Sequence, residues 1–511
     1  MSGVRVHICA FVVSLSGVLW KIVMMHHHFF SAAVLSAYAL RALAVPNQTP
    51  SFDASSYKQA DIISKDVVII GGGSGGTNAA ISLKDKGKSV IVIEKKDRIG
   101  GHTETYIDPA TGTPIDIGVQ IWHNLTVVTD YFKRFDVPLI ALGSDTPPNA
   151  TQPQTVNYDL RTGKLVNVTS FSQAETGAAF AKYAQFLAQY PRLNDGQFLP
   201  NPVPDDLVMP FGDFAKKYGI EAVIPTMYQF NPGLGDPLTV PMIEMERVFG
   251  LSLVQQLSTG FLTTERHNNS EIYSKAQAEL LSASSLLLSS TVVASKRSNE
   301  NDGIKLVVKT PTGLKLICAK KLLLAIPTKL DNLTPFDLSK EEVTVFSKLI
   351  DAGYYTSIVK NTGLPDDLNV FNAAQNTSYN IPPLPAVYSI GASGVPGLHI
   401  AYYGSPRSKK SYPLSDDAVK ADIIRSIKAL QKSNPDKFNQ TEPEFVVYSS
   451  HAPFYDMARP EDTKKGFYND LYALQGLRNT WYTGASFRAQ DSSDIWRYTE
   501  EEVLPGLLKG L

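Results

Sequence analysis

Residues 66–80 read DVVIIGGGSGGTNAA. Four β-branched residues, Val67 to Ile70, run into five glycines in six positions, and then into small residues that suit a helix. Bare backbone at the end of a strand lets something approach the main chain closely. The longer stretch DVVIIGGGSGGTNAAISLKDKGKSVIVIEK (66–95) predicts strand, tight turn, helix, strand. Gly71, Gly73 and Gly76 stand in G-x-G-x-x-G register, with Ser74 and Gly75 completing the loop. The first glycine permits the sharp turn, the second admits a pyrophosphate, and the third lets helix and strand pack closely. A phosphate there meets the free N–H groups of a helix N-terminus. The second strand ends at Glu94, whose carboxylate can accept both ribose hydroxyls of an adenosine and repels a 2′-phosphate.

The next residues separate FAD from NAD. KKDRIGGHTETY (95–106) places Lys95 and Arg98 before a second glycine pair, Gly100-Gly101, followed by His102. FAD proteins of the glutathione-reductase-like class carry a basic residue and paired glycines at this point, and Arg98 is expected to face the phosphates. Asp116-Ile117-Gly118 resembles the short D-x-G strand that passes near the flavin in that class. Residues 291–327 read as a β-meander with an Asp302-Gly303 turn, with Val292 beside the adenine. Near the C-terminus, WYTGASFRAQDSSDIWRY predicts a strand, a loop through Gly484 and Ala485, and a helix carrying Ile495 and Trp496. Asp491, Ser492 and Ser493 are good N-cap types for it. Its N-terminus, aimed at the flavin ring, would stabilise negative charge there.

Together, strand–GGGSGG–helix, EKKDRIGGH, the meander ending in AIP and the terminal TGA–helix resemble the flavin-dependent amine oxidase superfamily. IGGHTETY, WYTGASFRAQDSSDIW and the N-terminal leader resemble, more narrowly, the fungal β-cyclopiazonate dehydrogenase family. The resemblance spans about Asp61 to Leu511. It implies an FAD-dependent oxidoreductase that removes hydride from an activated allylic or amine-adjacent C–H of a secondary metabolite, such as a terpenoid pyrone or prenylated indole. Ring closure can follow. A flavin isomerase and an amine oxidase are the enzymatic alternatives, and a flavin-carrying binding protein the non-enzymatic one. Amine oxidases usually hold a lysine near the flavin N5 through a water; here DAGYYTSIVKN offers only Lys360, which departs from that pattern. His102 stands where many amine oxidases carry arginine. It can hydrogen-bond the cofactor as a neutral imidazole, or attack the flavin 8α-methyl carbon and form a covalent link.

The expected fold is α/β: a glutathione-reductase-like FAD-binding Rossmann domain in discontinuous segments, with an inserted α+β substrate domain. The segments expected are 1–44 a signal peptide, 61–124 FAD-binding, 125–289 a helical substrate or lid region, 290–337 FAD-binding, 338–447 a substrate domain with a sheet, and 448–511 FAD-binding. Most aromatics serve the core. Trp122, Tyr228, Tyr355 and Tyr403 are the chosen candidates for the substrate wall, with Tyr354 and Tyr402 beside them. No metal-ligand cluster such as H-E-x-x-H is present.

Composition agrees with a core-forming enzyme: 511 residues, 43% apolar, net charge −1, and no long basic run to hold nucleic acid. The first 45 residues hold no acid, and the second of two apolar runs ends in Ala42-Leu43-Ala44, an A-x-A cleavage pattern. Met24 or Met25 is a more usual start for such a leader. Cleavage predicts a secretory or vesicular-lumen protein without a stable membrane anchor; an uncleaved anchor is the alternative. Eight sequons, at Asn47, Asn124, Asn149, Asn167, Asn268, Asn332, Asn376 and Asn439, predict a glycosylated surface. Removal of Cys9 with the leader leaves Cys318 alone, so no internal disulfide is expected.

Overall fold

The computed structural model describes residues 50–146, 152–168, 170–230, 233–298, 303–409 and 414–511. The expected leader, Asn47, Asn149 and Asp302 lie outside the described residues. Among the described residues, no helix is long and apolar enough to cross a membrane.

The glycine-rich stretch forms the predicted unit: β1 (Ile62–Ile70), α1 (Ser74–Asp85) and β2 (Val90–Ile93). Val67, Val68 and Ile69 and all four residues of β2 are buried. Continuous burial is what a parallel strand covered on both faces requires. β1 pairs in parallel with β2 on one side and with β3 (Gly313–Leu324) on the other, Val68 facing Ile91 and Leu322. The first half of β3 is the last strand of the predicted meander, antiparallel to Ile304–Thr310, which pairs with Thr291–Arg297. Its last three residues run parallel to Thr480–Tyr482. The meander is thus continuous with the nucleotide-binding sheet through one long strand. Cys318 lies in β3, half-buried and free.

A second seven-stranded sheet runs, in order, Glu444–Ser450, β4 (Tyr354–Lys360), β5 (Leu398–Gly404), Ala386–Ala392, Leu368–Asn372, Gln154–Asp159 and Lys164–Leu165. The helix Asp416–Ser433 covers one face through Val419, Ile423 and Ile427. The predicted helical region is present as Gln173–Leu187, Phe211–Tyr218, Ile224–Phe230 and Met242–Glu246, sharing one core with Phe454, Tyr455 and Met457.

Several expected boundaries differ. Glu444–Ser450 belongs whole to the second sheet, so the last nucleotide-domain segment starts after it, not at 448. Helices Thr126–Arg134 and Glu271–Ser282, expected in the lid region, pack in the nucleotide-domain core instead, and Leu286–Leu287 extends that sheet beside β2. Lys340–Phe346, expected in the substrate domain, also buries Val345 and Phe346 in that core. Chain order does not reveal these exchanges, because an amphipathic helix shows which face it buries but not against which sheet.

Candidate functional site

A cavity of about 940 Å³ opens along the carboxyl ends of β1 and β2 and extends to the second sheet. The sequence of the phosphate loop explains its first wall. Gly71 has φ +98°, and a Cβ there would meet the Ala325 carbonyl oxygen at 2.7 Å. A Cβ on Gly73 would meet only the Gly101 Cα, at 3.9 Å, and would otherwise occupy the cavity. A Cβ on Gly76 would lie 1.9 Å from the Gly71 carbonyl oxygen, where α1 rests on its own loop. No side chain caps the first turn of α1 at Gly73. The cradle is therefore main chain with room above it, the condition for a bound pyrophosphate.

Glu94 holds the end of β2. Its Oε2 accepts from the Gly72 N–H at 2.7 Å and its Oε1 from the Lys96 N–H at 2.8 Å. An ionised carboxylate has further lone pairs for ribose hydroxyls. Lys95, Val292, Gly484, Ala485 and Ile495 also line the cavity, as do Ser74, Gly75, Gly100, Gly101 and His102. α2 (Ser492–Tyr498) begins at the cavity wall. The Asp491 carboxylate caps it, accepting from the Asp494 N–H at 2.9 Å. The residues fit an extended dinucleotide cofactor: an acid for the adenosine ribose, a glycine cradle for the pyrophosphate, and a continuous cavity beyond.

Three of the sequence-derived cofactor residues do not line the cavity. Gly76 packs helix on loop as described above. Arg98 turns away, pairing with Glu104 and donating to the Gly101 and Thr103 carbonyls at 3.3 Å each, so it braces the second glycine turn from behind. Trp496 is fully buried; its Nε1 donates to the Ser74 carbonyl at 3.2 Å, and its ring lies 4.9 Å from that of Trp122. It supports the phosphate loop from the core.

The substrate candidates divide by strand parity. Tyr354 and Tyr402 line the cavity, whereas Tyr355 and Tyr403 point to the opposite face of the sheet. Tyr403 donates to Asp422 of the covering helix at 2.7 Å. Trp122 is buried among Phe132 and Trp496 rather than exposed to substrate. Tyr228 stands one layer back, its ring 4.5 Å from that of Tyr388, which does line the cavity. Lys360 lies at the far end of β4, half-exposed and 3.0 Å from Glu444, so it is no partner for a flavin N5. Asn332 lines the cavity, with its Nδ2 donating to the Pro327 carbonyl at 3.1 Å.

One feature of the wall escaped the sequence reading. His451 stacks on His102, with ring centroids 4.3 Å apart and planes within 10°. Phe454 closes the stack, 6.0 Å from His102. The His451 main-chain N–H donates to the Tyr354 carbonyl at 2.8 Å, which carries the ring from the end of Glu444–Ser450 into the cavity. Burial, with the charges of Lys96 and Arg98, pushes His451 down to about 3. Burial, then His451 and Lys96, hold His102 well below its ordinary value. Both rings are neutral near pH 7, so each keeps a nucleophilic nitrogen. The turn signal in SSHAPFYD at a strand end was the available hint.

Residues 69–135 match the model of an NAD(P)-binding Rossmann-like domain. The FAD-dependent oxidoreductase oblC of Cochliobolus heterostrophus is 50% identical over 94% of this chain and 98% of its own. β-Cyclopiazonate dehydrogenase of Aspergillus oryzae is 34% identical over 88% of this chain and 94% of its own. Among solved structures, a conjugated-linoleic-acid-producing fatty acid isomerase from P. acnes superimposes with a TM-score of 0.67 at 18% identity, covering 86% of this chain and 98% of its own. A putrescine oxidase superimposes at 0.60 and 15%, covering 88% and 100%. When bound, FAD supplies a hydride acceptor at its ring, and the protein's part is to orient substrate and exclude water. The glycine cradle, the acid at the end of β2 and near-full-length relatedness place this chain in the family of fungal FAD-dependent oxidoreductases that includes β-cyclopiazonate dehydrogenase.

Proposed function

We propose that the enzyme abstracts hydride from an activated allylic or amine-adjacent C–H of a secondary metabolite, a terpenoid pyrone or prenylated indole in type, with ring closure by an internal nucleophile. The carrying observation is the cavity wall beyond the dinucleotide half: Phe230, Val248, Leu253, Phe261, Tyr354 and Tyr388. Such a lining suits a neutral, ring-bearing molecule better than a small ammonium. The name of the relative β-cyclopiazonate dehydrogenase supports the same class. Within the α/β fold, the meander carried on β3 supports assignment to the glutathione-reductase-like class. The test is anaerobic mixing of purified enzyme with candidate metabolites, followed by air. Substrate-dependent bleaching of the flavin, with a product two hydrogens poorer, is expected. Product with unchanged composition and no net oxygen use would make it an isomerase, and no bleaching by any candidate would favour a binding protein.

The finer reading of the cofactor is a histidyl link from His102 to the flavin 8α carbon. Support comes from its neutral imidazole in the cavity wall. After acid precipitation, the flavin is expected in the pellet, and His102→Ala should release it to the supernatant. Flavin in the wild-type supernatant ends the covalent reading; release by His451→Ala alone moves the link to the stacked neighbour.

The leader and sequons support passage through the secretory pathway. Asn124, Asn167, Asn376 and Asn439 are exposed, whereas Asn268 and Asn332 are half-buried and Asn332 faces the cavity. Protein from a eukaryotic host should therefore lose mass with an N-glycosidase. Peptide mapping should find glycans at the four exposed sites and not at Asn332. An unmodified protein with residues 1–44 intact would remove this reading.

A further inference from the structure

Beside Gly484, Ala485 and Ser486 lies a buried charge cluster around Asp456. Asp456 lines the cavity yet is only 3% exposed. One of its carboxylate oxygens accepts from the Ser486 hydroxyl, and the other has no hydrogen-bond partner among the described residues. Lys329, in the loop after β3, acts on it through its charge. Its Nζ is 2.7 Å from the buried Asp351 carboxylate and donates to the Leu349 and Lys409 carbonyls at 3.0 and 3.2 Å. Arg247 faces it from the helical layer, donating to the Asp456 main-chain carbonyl at 2.6 Å, but its carboxylate partner is Glu244, at 2.8 Å. With Arg247 matched to Glu244 and Lys329 to Asp351, the Asp456 carboxylate has no ion-pair partner among the described residues. A buried group of that composition carries one negative charge too many, which raises its affinity for a proton. Burial raises Asp456, and burial with the charge of Asp456 pushes Asp351 up to about 7.

Asp331, two residues beyond Lys329, also lines the wall and adds its charge to that of Asp456 in raising Asp351. Four other ionisable groups in the wall have roles of their own. Each Glu94 oxygen already takes a backbone N–H. Asp491 caps α2 and lies 3.4 Å from His123. His102 and His451 are held neutral.

We propose that Asp456 is the proton-exchanging group of the cavity: its carboxylate takes up one proton as two electrons enter the flavin, with Lys329 and Asp351 setting its charge. In turnover the substrate C–H bond breaks and its electron pair leaves as hydride to the flavin. The proton from the adjacent C–H, or from the O–H or N–H that closes the ring, forms an O–H bond on Asp456. The substrate is oxidised by two electrons, the flavin is reduced by two, and the product carries one new π or ring bond. The proposal rests on the flavin chemistry of the site, not on the metabolite, so its test needs no substrate.

The test is the flavin midpoint potential of the holoenzyme, by dithionite titration with redox dyes across neutral pH. Negative charge arriving on the flavin raises the Asp456 pKa. Between its values in the oxidised and reduced enzyme, one extra proton is then taken up per two electrons. Wild type should show a window of steeper pH dependence with flatter arms on both sides, and Asp456→Asn should lose the window. Ser486→Ala removes a donor that favours the ionised carboxylate, so it should move the window to higher pH. A folded, flavin-loaded Asp456→Asn with the wild-type profile would overturn the proposal. If that variant holds no flavin, Ser486→Ala decides: an unmoved window overturns the proposal as well. Failure of every candidate metabolite to bleach the flavin leaves these outcomes unchanged.

Discussion

Gly73→Val is expected to give a folded, colourless protein, and Gly76→Val no native protein at all. The two glycines stand three residues apart in one loop, yet their surroundings differ. At position 73 the backbone has φ −72° and ψ −169°, which valine adopts, and a new Cβ meets only the Gly101 Cα, at 3.9 Å, on the cavity wall. The valine side chain fills the space over the cradle and excludes the pyrophosphate. At position 76 even a Cβ lies 1.9 Å from the Gly71 carbonyl oxygen. Overpacking that side chains can relieve costs about 1–3 kcal/mol. Here the obstacle is main chain, so α1 must leave its loop and the buried strands β1 and β2 lose their cover. The flavin-to-protein absorbance ratio and near-ultraviolet circular dichroism separate the outcomes. Gly73→Val should show native dichroism, no flavin band, and a lower melting temperature than the loaded protein, because it lacks the ligand's stabilisation. Yellow Gly73→Val would mean that the phosphates do not lie over this residue.

Arg247→Met carries the largest expected loss of stability in the helical layer. Arg247 is 1% exposed and joins its own helix to two other segments, the turn at Asp456 and the loop 485–488. Its Nε donates to the Arg488 carbonyl at 2.8 Å, Nη1 to the Asp456 carbonyl at 2.6 Å, and Nη2 to the Ala485 carbonyl at 2.8 Å. Its ion-pair partner Glu244 has no exposed surface. Removing the guanidinium leaves a buried carboxylate without its cation and three carbonyls without a donor, a loss of about 3–5 kcal/mol. Total stabilities of roughly 5–15 kcal/mol make that a large fraction. Ala485 lines the cavity, so flavin retention should fall as well. Thermal unfolding and flavin content measure both effects. The double variant Glu244→Leu with Arg247→Met should recover part of the stability, since the unpaired charge is gone, while the carbonyls stay short of donors. Wild-type stability of Arg247→Met would show that the network carries no net energy.

The cofactor half of this protein is legible in residues 66–95 because its chemistry is local. A strand, a turn of glycines and a helix N-terminus lie consecutively in the chain, and each glycine's role follows from geometry within a few residues. Glu94 is legible for the same reason, since it ends the next strand of the same unit. Arg98 is also close in sequence, but its direction depends on Glu104 across the second glycine turn, and side-chain pairing overrode the expected phosphate contact.

The substrate half depended on tertiary packing. In β4 and β5 the residues alternate between two faces, so only one of each adjacent tyrosine pair can reach the cavity. The helix Asp416–Ser433 covers the face carrying Tyr355 and Tyr403, which leaves Tyr354 and Tyr402 to the cavity. Both faces are largely covered, so polarity along the strand holds no sign of that choice. His451 meets His102, and Asp456 comes under the charge of Lys329, only because the second sheet delivers the turn after Ser450 onto the nucleotide domain. Pairings between groups so distant in the chain have no local signature, since they arise when separately formed layers bury their faces against each other.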